Sequence, residues 1–324
     1  MLSRRAVVAG LVGSAALSLR PAAAQPFPSR TITIVVPYPA GGPVDLVARL
    51  IAQEAAADLG QSIVIDNRAG GSGVIGSAAV ARAEPDGHTL VLGTNQTHAT
   101  NQSLLKNCPY DAVKDFAPVA GIAEIPHVLV TRKDLGVADA AALVKLLKEK
   151  PGALNYGSTG NGSASHLAGE LFKAKAGVDA QHVPFRGAAP MTQELVAGRI
   201  DYAFATLPSV VGQIEGGELK ALAVASPHRA ARLSAVPTLS EAGVPGVEAD
   251  AWFALFAPAK TPESAVARLH AAVVAALSKE GSKEALAKQG MTLALRSPAE
   301  VAAALPAEVA KWAAVIKAAN ISVE

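Results

Sequence analysis

The sequence predicts an α/β fold made of two similar units, each a doubly wound sheet flanked by helices. Two observations predict it. After residue 26, short runs of β-branched and apolar residues alternate with longer runs of helical periodicity, and this strand–helix–strand pattern occurs twice. The chain also has 324 residues, 50% of them hydrophobic, which is longer than one hydrophobic core usually serves.

The first unit begins with a strand over residues 31–36 (TITIVV), which is rich in β-branched residues and is followed by Pro37. A helix is predicted from Pro43, because proline fits the first helical turn without losing a hydrogen bond. The same pattern then repeats, with a strand at 62–66, a glycine-rich turn at 67–73, a helix at 74–82 and a strand at 89–92.

The second unit starts near residue 128 and has the same alternation, although the two units share no repeated sequence. Its strands are predicted at 128–130, 154–158, 182–185, 202–205 and 221–225, and its helices at 138–149, 165–176 and 191–197.

A proline-rich stretch, 237–245, leads from the second unit to a last apolar strand at 252–256. A helix is predicted to begin at Thr261-Pro262-Glu263, with the Thr261 hydroxyl as its cap, and to continue to residue 277. Another helical stretch opens at Pro298, and Trp312 lies in the last helix. These helices are rich in alanine, so we expect them to pack closely on a sheet and complete the first unit.

The first 24 residues have the pattern of an export signal. Arg4 and Arg5 form a positive start, residues 6–19 form a short apolar run, and small residues at 22–24 offer a cleavage point near Ala24. The alternative is a membrane anchor, but the apolar run is shorter than the roughly 20 residues that a spanning helix needs. No later segment has the length and hydropathy of a span, so we expect a protein that does not itself cross the membrane.

Charge and cysteine content exclude several classes of protein. Three of the 29 basic residues and none of the 27 acidic ones lie in the predicted signal, so 26 basic and 27 acidic residues remain after cleavage. A near-neutral body gives no electrostatic basis for binding nucleic acid. Cys108 is the single cysteine, which excludes a disulfide framework within the chain and is typical of a small buried residue.

Three glycine-containing turns, 37–43, 67–73 and 157–163, each follow a strand and precede a helix. Ligands of open α/β sheets bind at such positions, where the unpaired N–H groups and dipole of a helix start favour an anion. The first and third turns contain no charged side chain, so an anion there would contact N–H groups and hydroxyls. The alternative is that they are ordinary strand–helix connections, which also favour glycine and serine.

Other kinds of site find little support. The segment 71–76 matches the dinucleotide pattern G-x-G-x-x-G, but the next strand ends without an acid for a ribose hydroxyl. The seven histidines have no metal-ligand spacing, and the segment 163–166 is not a hydrolase elbow. His166 stands near the third turn, where it either faces a cleft or packs inside. With 4% aromatic residues, a small acid is favoured over a sugar or nucleobase. We therefore expect no catalytic residues, metal or cofactor.

Short motifs along nearly the whole predicted mature chain resemble those of one known family, the Bug family, which comprises the extracytoplasmic solute receptors of tripartite tricarboxylate transporters. In chain order the matching stretches are 28–30, 37–42, Asp45 with Arg49, 67–73, 85–87, 109–111, 115–116, 156–160, 162–163, 166–170, 182–187, 237–239, Glu241, Gly243 and Trp252.

The resemblance implies a two-lobed periplasmic binding protein fold of type II and a periplasmic location. We divide the chain accordingly into a signal peptide (1–24), a first lobe (26–124 plus 248–324) and a second lobe (125–247). The implied function is capture of a small organic carboxylate between the lobes and its delivery to membrane transporter subunits. The alternatives are an exported sensor that presents the carboxylate to a signalling partner, or an exported enzyme acting on small acids. We expect a monomer.

The resemblance also implies which residues bind the carboxylate. Family members that bind acidic amino acids have an acid in the second lobe for the ammonium group, whereas the turn after residue 204 here begins Ala205-Thr206-Leu207. A mono- or dicarboxylate without an ammonium group is therefore expected. The predicted ligand-binding residues are Tyr38, Pro39, Ala40, Gly41, Gly42, Asp45, Ser158, Thr159, Gly160, Gly162, Ser163, His166 and Thr206.

Overall fold

The computed structural model describes residues 27–321, which form two mixed β-sheets with helices on both faces. The elements up to the first crossing between the sheets are β1 (Ile32–Val36), α1 (Pro43–Leu59), β2 (Ile63–Asn67), α2 (Val74–Ala81), β3 (Thr89–Thr94), α3 (Asn101–Leu104) and β4 (Phe116–Ile125). The second sheet and its helices follow as β5 (His127–Arg132), α4 (Ala140–Glu149), β6 (Asn155–Ser158), α5 (Ala164–Ala176), β7 (Gln181–Pro184), α6 (Ala188–Val196), β8 (Tyr202–Thr206), α7 (Leu207–Glu215) and β9 (Leu219–Val224). The chain then returns to the first sheet with β10 (Ala251–Pro258), α8 (Glu263–Leu277), α9 (Glu280–Lys288), β11 (Thr292–Arg296) and α10 (Pro298–Ala318).

Both sheets follow one plan. The first has the strand order β11-β4-β10-β3-β1-β2, in which β1 runs parallel to β2 and β3 while β10 runs antiparallel to β3 and β4. The second has the order β7-β6-β8-β5-β9, in which β6 runs parallel to β7 and β8 while β5 runs antiparallel to β8 and β9. In each sheet, three parallel strands are thus followed by an antiparallel strand that enters from the other lobe. The two-lobed α/β fold predicted from the sequence is confirmed.

Apolar helix faces cover both sides of each sheet. On the first sheet, α1 and α8 bury Val47, Ile51 and Leu269 on one face, and α2 and α10 bury Val80 and Val301 on the other. Burial of each such side chain stabilises the fold by about 1.5–3 kcal/mol. The helices are therefore anchored to the sheet through their apolar faces.

The last helix joins the two lobes. The prediction assigned the late helices to the first lobe, and α8 does pack there. Trp312 and Ile316, near the end of α10, are instead buried in a cluster that contains Phe172 and Phe204 of the second lobe. The predicted lobe boundaries, at residues 124–125 and 247–248, stay a prediction.

Two details of the sequence interpretation need correction. The Thr261 hydroxyl does not cap α8, since its Oγ1 donates to the carbonyl of Pro258 (2.7 Å) and Pro262 occupies the capping position. The strands β4 and β11 and the helices α7 and α9 were not predicted. Within residues 27–321 no helix has both the length and the apolar character that crossing a membrane requires. The predicted export signal lies outside the described residues.

Candidate functional site

The turn between β1 and α1 exposes backbone rather than charged side chains. Gly41 adopts a left-handed conformation (φ 84°), and Gly42 precedes the helix without providing a side-chain cap. The first N–H groups of a helix have no partner within the helix, and here no side chain of the cap takes them up. Pro39, Ala40 and Gly41 are exposed. The turn therefore offers N–H groups to an anion at a helix N-terminus.

Asp45 fixes the shape of this turn from below. Its buried carboxylate accepts hydrogen bonds from the Gly41 N–H (2.9 Å), from Arg49 Nε (2.8 Å) and from Asn67 Nδ2 (3.0 Å). The hydrogen bond from Arg49 is the main cause that lowers the pKa of Asp45 to about 2. Asp45, which we predicted to bind the ligand, is thus an ionised group whose oxygens are engaged within the first lobe.

Tyr38 reaches from this turn to the end of β3. Its hydroxyl lies 2.8 Å from Thr94 Oγ1 and donates to Gln96 Oε1 at 3.4 Å. Burial raises the pKa of Tyr38 to about 12, so the phenol stays neutral and keeps its proton. The sequence analysis did not select Thr94 or Gln96. The only signal for them was that Gly93-Thr94-Asn95 ends a strand at the same edge of the sheet.

The turn between β6 and α5, residues 158–163, is held by neutral groups. Ser163 caps α5 by accepting from the His166 N–H, and Ser165 Oγ accepts from the Thr159 N–H at 2.9 Å. The segment after β7 fixes the turn from the side, because the N–H groups of Phe185 and Gly187 donate to the carbonyls of Ser158 and Thr159. The side chains named here that hold the turn are thus hydroxyls and an imidazole rather than charged groups.

Ser158 and His166 lie beneath this turn rather than on its surface. Ser158 is fully buried, and its Oγ donates to the carbonyl of Gly160 (3.0 Å) and lies 2.6 Å from His182 Nε2. His166 is also buried, and its Nδ1 accepts from the Gly162 N–H at 3.0 Å. Of the two alternatives for His166, a position facing a cleft or packing inside, the structure shows packing inside. The sequence analysis did not select His182.

Thr206 ends β8, next to β6 in the sheet. Its Oγ1 donates to Ser209 Oγ (3.2 Å), and Ser209 Oγ donates to the carbonyl of Thr206 (2.7 Å). Because β6 and β8 are parallel, their carboxyl ends lie at one edge. Thr206 is therefore at the same edge as the 158–163 turn, and no acid occupies its position.

The strand directions place the two turns at facing edges of the two sheets. In the first sheet β1 runs parallel to β3, and β10 runs antiparallel to both β3 and β4. The strand β4 therefore has the same direction as β3 and β1. In the second sheet β5 starts at the edge where β6 ends. Only Pro126 separates β4 from β5, so these two edges adjoin across the gap between the lobes. Turns 37–42 and 158–163 thus both lie at the sheet edges that adjoin the crossing from β4 to β5.

The glycines of the dinucleotide-like segment have a structural reason of their own. A Cβ on Gly73 would lie 2.5 Å from Thr97 Cγ2, and one on Gly76 would lie 3.0 Å from both the Arg68 carbonyl and Pro37 Cα. These glycines let α2 approach the end of β1 closely. Close packing accounts for the glycines of this motif, so the motif is no separate indication of a nucleotide site.

A cavity of about 310 Å³ lies away from the two turns, between β4, β10, β11 and α10. Asp250 lines it beside the crossing to β10, and Ser226 Oγ donates to this carboxyl. Burial raises the pKa of Asp250 to about 7. The residues that line the cavity include none of the predicted ligand-binding residues. Within residues 27–321 there is also no cluster of three or more histidine, cysteine or acidic side chains able to hold a metal ion.

Comparison with known proteins gives a consistent result. The family model described as tripartite tricarboxylate transporter family receptor matches residues 47–321. A protein described as the UPF0065 protein in the tcbD-tcbE intergenic region of Pseudomonas sp. (strain P51) is 39% identical over 313 residues, which are 96% of this chain and 93% of that protein. Protein BugT of Bordetella pertussis is 34% identical over 317 residues, which are 98% of this chain and 97% of that protein.

Two solved structures show the same architecture. A protein of R. palustris, described with adipate, is 40% identical, with a TM-score of 0.77 over 92% of this chain and 100% of that chain. MatC from Rhodopseudomonas palustris, described with bound malate, is 38% identical, with a TM-score of 0.74 over 90% of this chain and 100% of that chain. The chain therefore belongs to the family of tripartite tricarboxylate transporter receptors, the TctC/Bug-type solute-binding proteins.

Proposed function

We propose that this protein is an extracytoplasmic receptor that captures a small carboxylate in the interlobe cleft and delivers it to a tripartite tricarboxylate-type membrane transporter. The observation that carries the proposal is the pair of turns at facing sheet edges, 37–42 and 158–163, each of which opens a helix without a charged side chain of its own. Two helix N-termini converging on one gap favour an anion.

The two turns act together in this proposal. Each lobe alone offers a few N–H groups that water also satisfies, so binding to one lobe is weak. When both lobes contact the same carboxylate, the anion loses its water and gains donors from two sides. The closed form therefore has contacts that the open form lacks, and the ligand shifts the equilibrium toward closure. A transporter that recognises the closed form would then receive loaded receptor selectively.

The proposed ligand class follows from the lack of an acidic side chain at the end of β8 in the second lobe. Thr206 and Ser209 stand at the end of β8, where an acid would be needed to meet an ammonium group. A mono- or dicarboxylate without an ammonium group therefore fits better than an acidic amino acid. The solved relatives described with adipate and with malate support this class.

The predicted signal over residues 1–24 supports export, with cleavage near Ala24 and a mature chain in the periplasm. The mature chain is proposed to act as a monomer. It would need no cofactor, because binding and release of the carboxylate involve no bond-making step.

Thermal unfolding of residues 25–324 in the presence of ligand candidates tests the proposal. We expect a dose-dependent rise of Tm with adipate, malate or another carboxylate, since a ligand that binds only the folded state stabilises it by mass action. Uncharged amides of the same acids serve as controls. If no carboxylate raises the Tm, and mass spectrometry of the denatured protein detects no co-purified acid, the proposed function is wrong.

A further inference from the structure

Two histidine rings lie stacked directly beneath the 158–163 turn. The ring centroids of His166 on α5 and His182 on β7 are 3.7 Å apart, and their planes are inclined by only 5°. Each ring holds a different end of the turn. His182 Nε2 lies 2.6 Å from Ser158 Oγ at its start, and His166 Nδ1 accepts from the Gly162 N–H near its end.

The ring nitrogens of His166 have separate tasks. Because Nδ1 accepts the hydrogen bond from Gly162, the proton of the neutral ring resides on Nε2. That nitrogen points toward Glu170, whose Oε1 lies 4.0 Å away. Glu170 in turn accepts from the Tyr156 hydroxyl (2.5 Å) and from Lys173 Nζ (3.0 Å). Glu170 therefore orients the ring at Nε2, and the ring holds the turn through Nδ1.

His182 completes the network at Ser158. The Ser158 hydroxyl accepts from the Gly160 N–H at 3.2 Å and lies between the Gly160 carbonyl and the imidazole. Without His182, this buried hydroxyl would lose the partner that holds it under the turn. The charged groups that face the stack are Glu170 and Lys173, and burial lowers the pKa of both histidines. Both rings are thus neutral above mildly acidic pH.

We propose that His166 and His182 are positioning residues for carboxylate binding, each acting through one specific ring nitrogen on one end of the 158–163 turn. Neither ring needs to touch the ligand. The proposal rests on the proposed function, because the turn matters for affinity only if it holds the carboxylate. Its distinctive content is that Nδ1 of His166 and Nε2 of His182 carry the effect.

Amide substitutions distinguish the two nitrogens. The side-chain amide of asparagine takes the place of Nδ1, where its oxygen can accept from the Gly162 N–H. The amide of glutamine takes the place of Nε2, where its NH2 group can donate to the Ser158 hydroxyl. We expect His166→Asn to retain most of the affinity for adipate or malate, whereas His166→Gln loses at least about tenfold, on the scale of one buried hydrogen bond. At His182 the order reverses, so His182→Gln retains affinity and His182→Asn loses it. Isothermal titration of the mature protein measures all four variants.

Hydrogen exchange of the ligand-free protein supplies a readout that is independent of binding. The Gly162 amide should exchange faster in His166→Gln and stay protected in His166→Asn. The Gly160 amide should respond in the same way to His182→Asn and His182→Gln. If the two variants at each position behave alike, or if affinity simply follows the loss of Tm, the proposal is overturned. If the wild-type protein binds no carboxylate, the proposed function fails, and the exchange pattern still decides whether the rings position the turn.

Discussion

The turns 37–42 and 158–163 occupy equivalent places in the two lobes, but different chemistry holds them. In the first lobe one ionised carboxylate, Asp45, accepts from the Gly41 N–H and is balanced by Arg49. In the second lobe hydroxyls and two neutral imidazoles do the same work. Turns in equivalent places can thus be supported either by a buried carboxylate with an exposed arginine partner or by a neutral network. The two supports should respond differently to mutation and to pH.

The largest expected effect comes from removing the charged support. Asp45→Ala leaves the Gly41 N–H without its acceptor and removes one of the two acceptors of Asn67 Nδ2, so we expect the free energy of unfolding to fall by about 2–3 kcal/mol. Carboxylate affinity should fall more than about tenfold, on the same scale. Urea unfolding and calorimetric titration measure the two quantities. Arg49→Gln is the control, because it removes the charged partner of Asp45 but keeps the carboxylate and its bonds from Gly41 and Asn67, so a smaller loss is expected. Unchanged affinity in Asp45→Ala would separate this turn from the binding site.

A smaller effect is expected from filling the backbone surface of the first turn. Gly41 and Gly60 both have positive φ (84° and 68°), and neither has an atom within 4 Å of an added Cβ. Valine at either position should cost about 1–2 kcal/mol of stability through the same backbone strain. Gly60 ends α1, far from the cleft, so only Gly41→Val should also weaken carboxylate binding. Equal affinities for the two variants would contradict the assignment of Gly41.

Loss of one hydroxyl from the neutral support should have a moderate effect. Ser158→Ala removes the buried partner of His182 and of the Gly160 N–H, and we expect a loss of about 1 kcal/mol in stability and a severalfold loss in affinity. Ser163→Ala removes a helix cap, with a similar cost of about 1 kcal/mol in stability. Melting and titration of both variants show whether affinity follows the position in the turn or stability alone. Full affinity in Ser158→Ala would exclude a role for its hydroxyl.

The smallest effect is the loss of stability in mild acid, which we expect in the second turn and not in the first. Burial lowers the pKa of His166 from 6.5 to about 3, so its contribution to stability is lost as the pH falls below 6.5 toward 3. Asp45 has its pKa lowered from 3.8 to about 2, so its contribution is lost only below pH 3.8. Between pH 7.5 and 6 we expect the second turn to lose less than about 1 kcal/mol and the first turn to be unaffected.

Site-resolved hydrogen exchange, corrected for the intrinsic pH dependence of exchange, measures this difference. The buried histidines His98 and His127 also have lowered pKa values, so a global melting curve would mix their effects with that of His166. His166→Asn is the control, because it should remove the part of the acid response that comes from His166 and leave the part that comes from His182. Earlier loosening of the first turn would contradict the comparison.

The sequence was informative where local chemistry decides the structure. The strand at 31–36, followed by Pro37, Gly41 and Gly42, predicts both the turn and the helix after it, because β-branched runs, proline and glycine act within a few residues. The strand β4 was missed, since its sequence FAPVAGIAEI contains a proline and a glycine and alternates poorly. Its pairing with β10 supplies what local propensity does not.

The supports of the site were less predictable, because they arise between distant parts of the chain. Ser158 meets His182 only because β6 and β7 pair in parallel, with Ser158 opposite Pro184. Tyr38 meets Thr94 because β1 and β3 end at one edge. No spacing along the chain encodes such contacts. The sequence thus located the two turns, whereas the groups that hold them required the register of the strands.

The strand order of the first sheet also has a consequence for the timing of folding. β10 lies between β3 and β4, yet it follows the whole second lobe along the chain. While the chain is being synthesised, β3 and β4 therefore have no partner to fill the space between them until Phe256 has emerged. The strands β5–β9 are contiguous and can pair first, although Trp312 completes their core later. The lobe that is synthesised first is thus finished last, and its exposed strand edges need protection from aggregation in the interval.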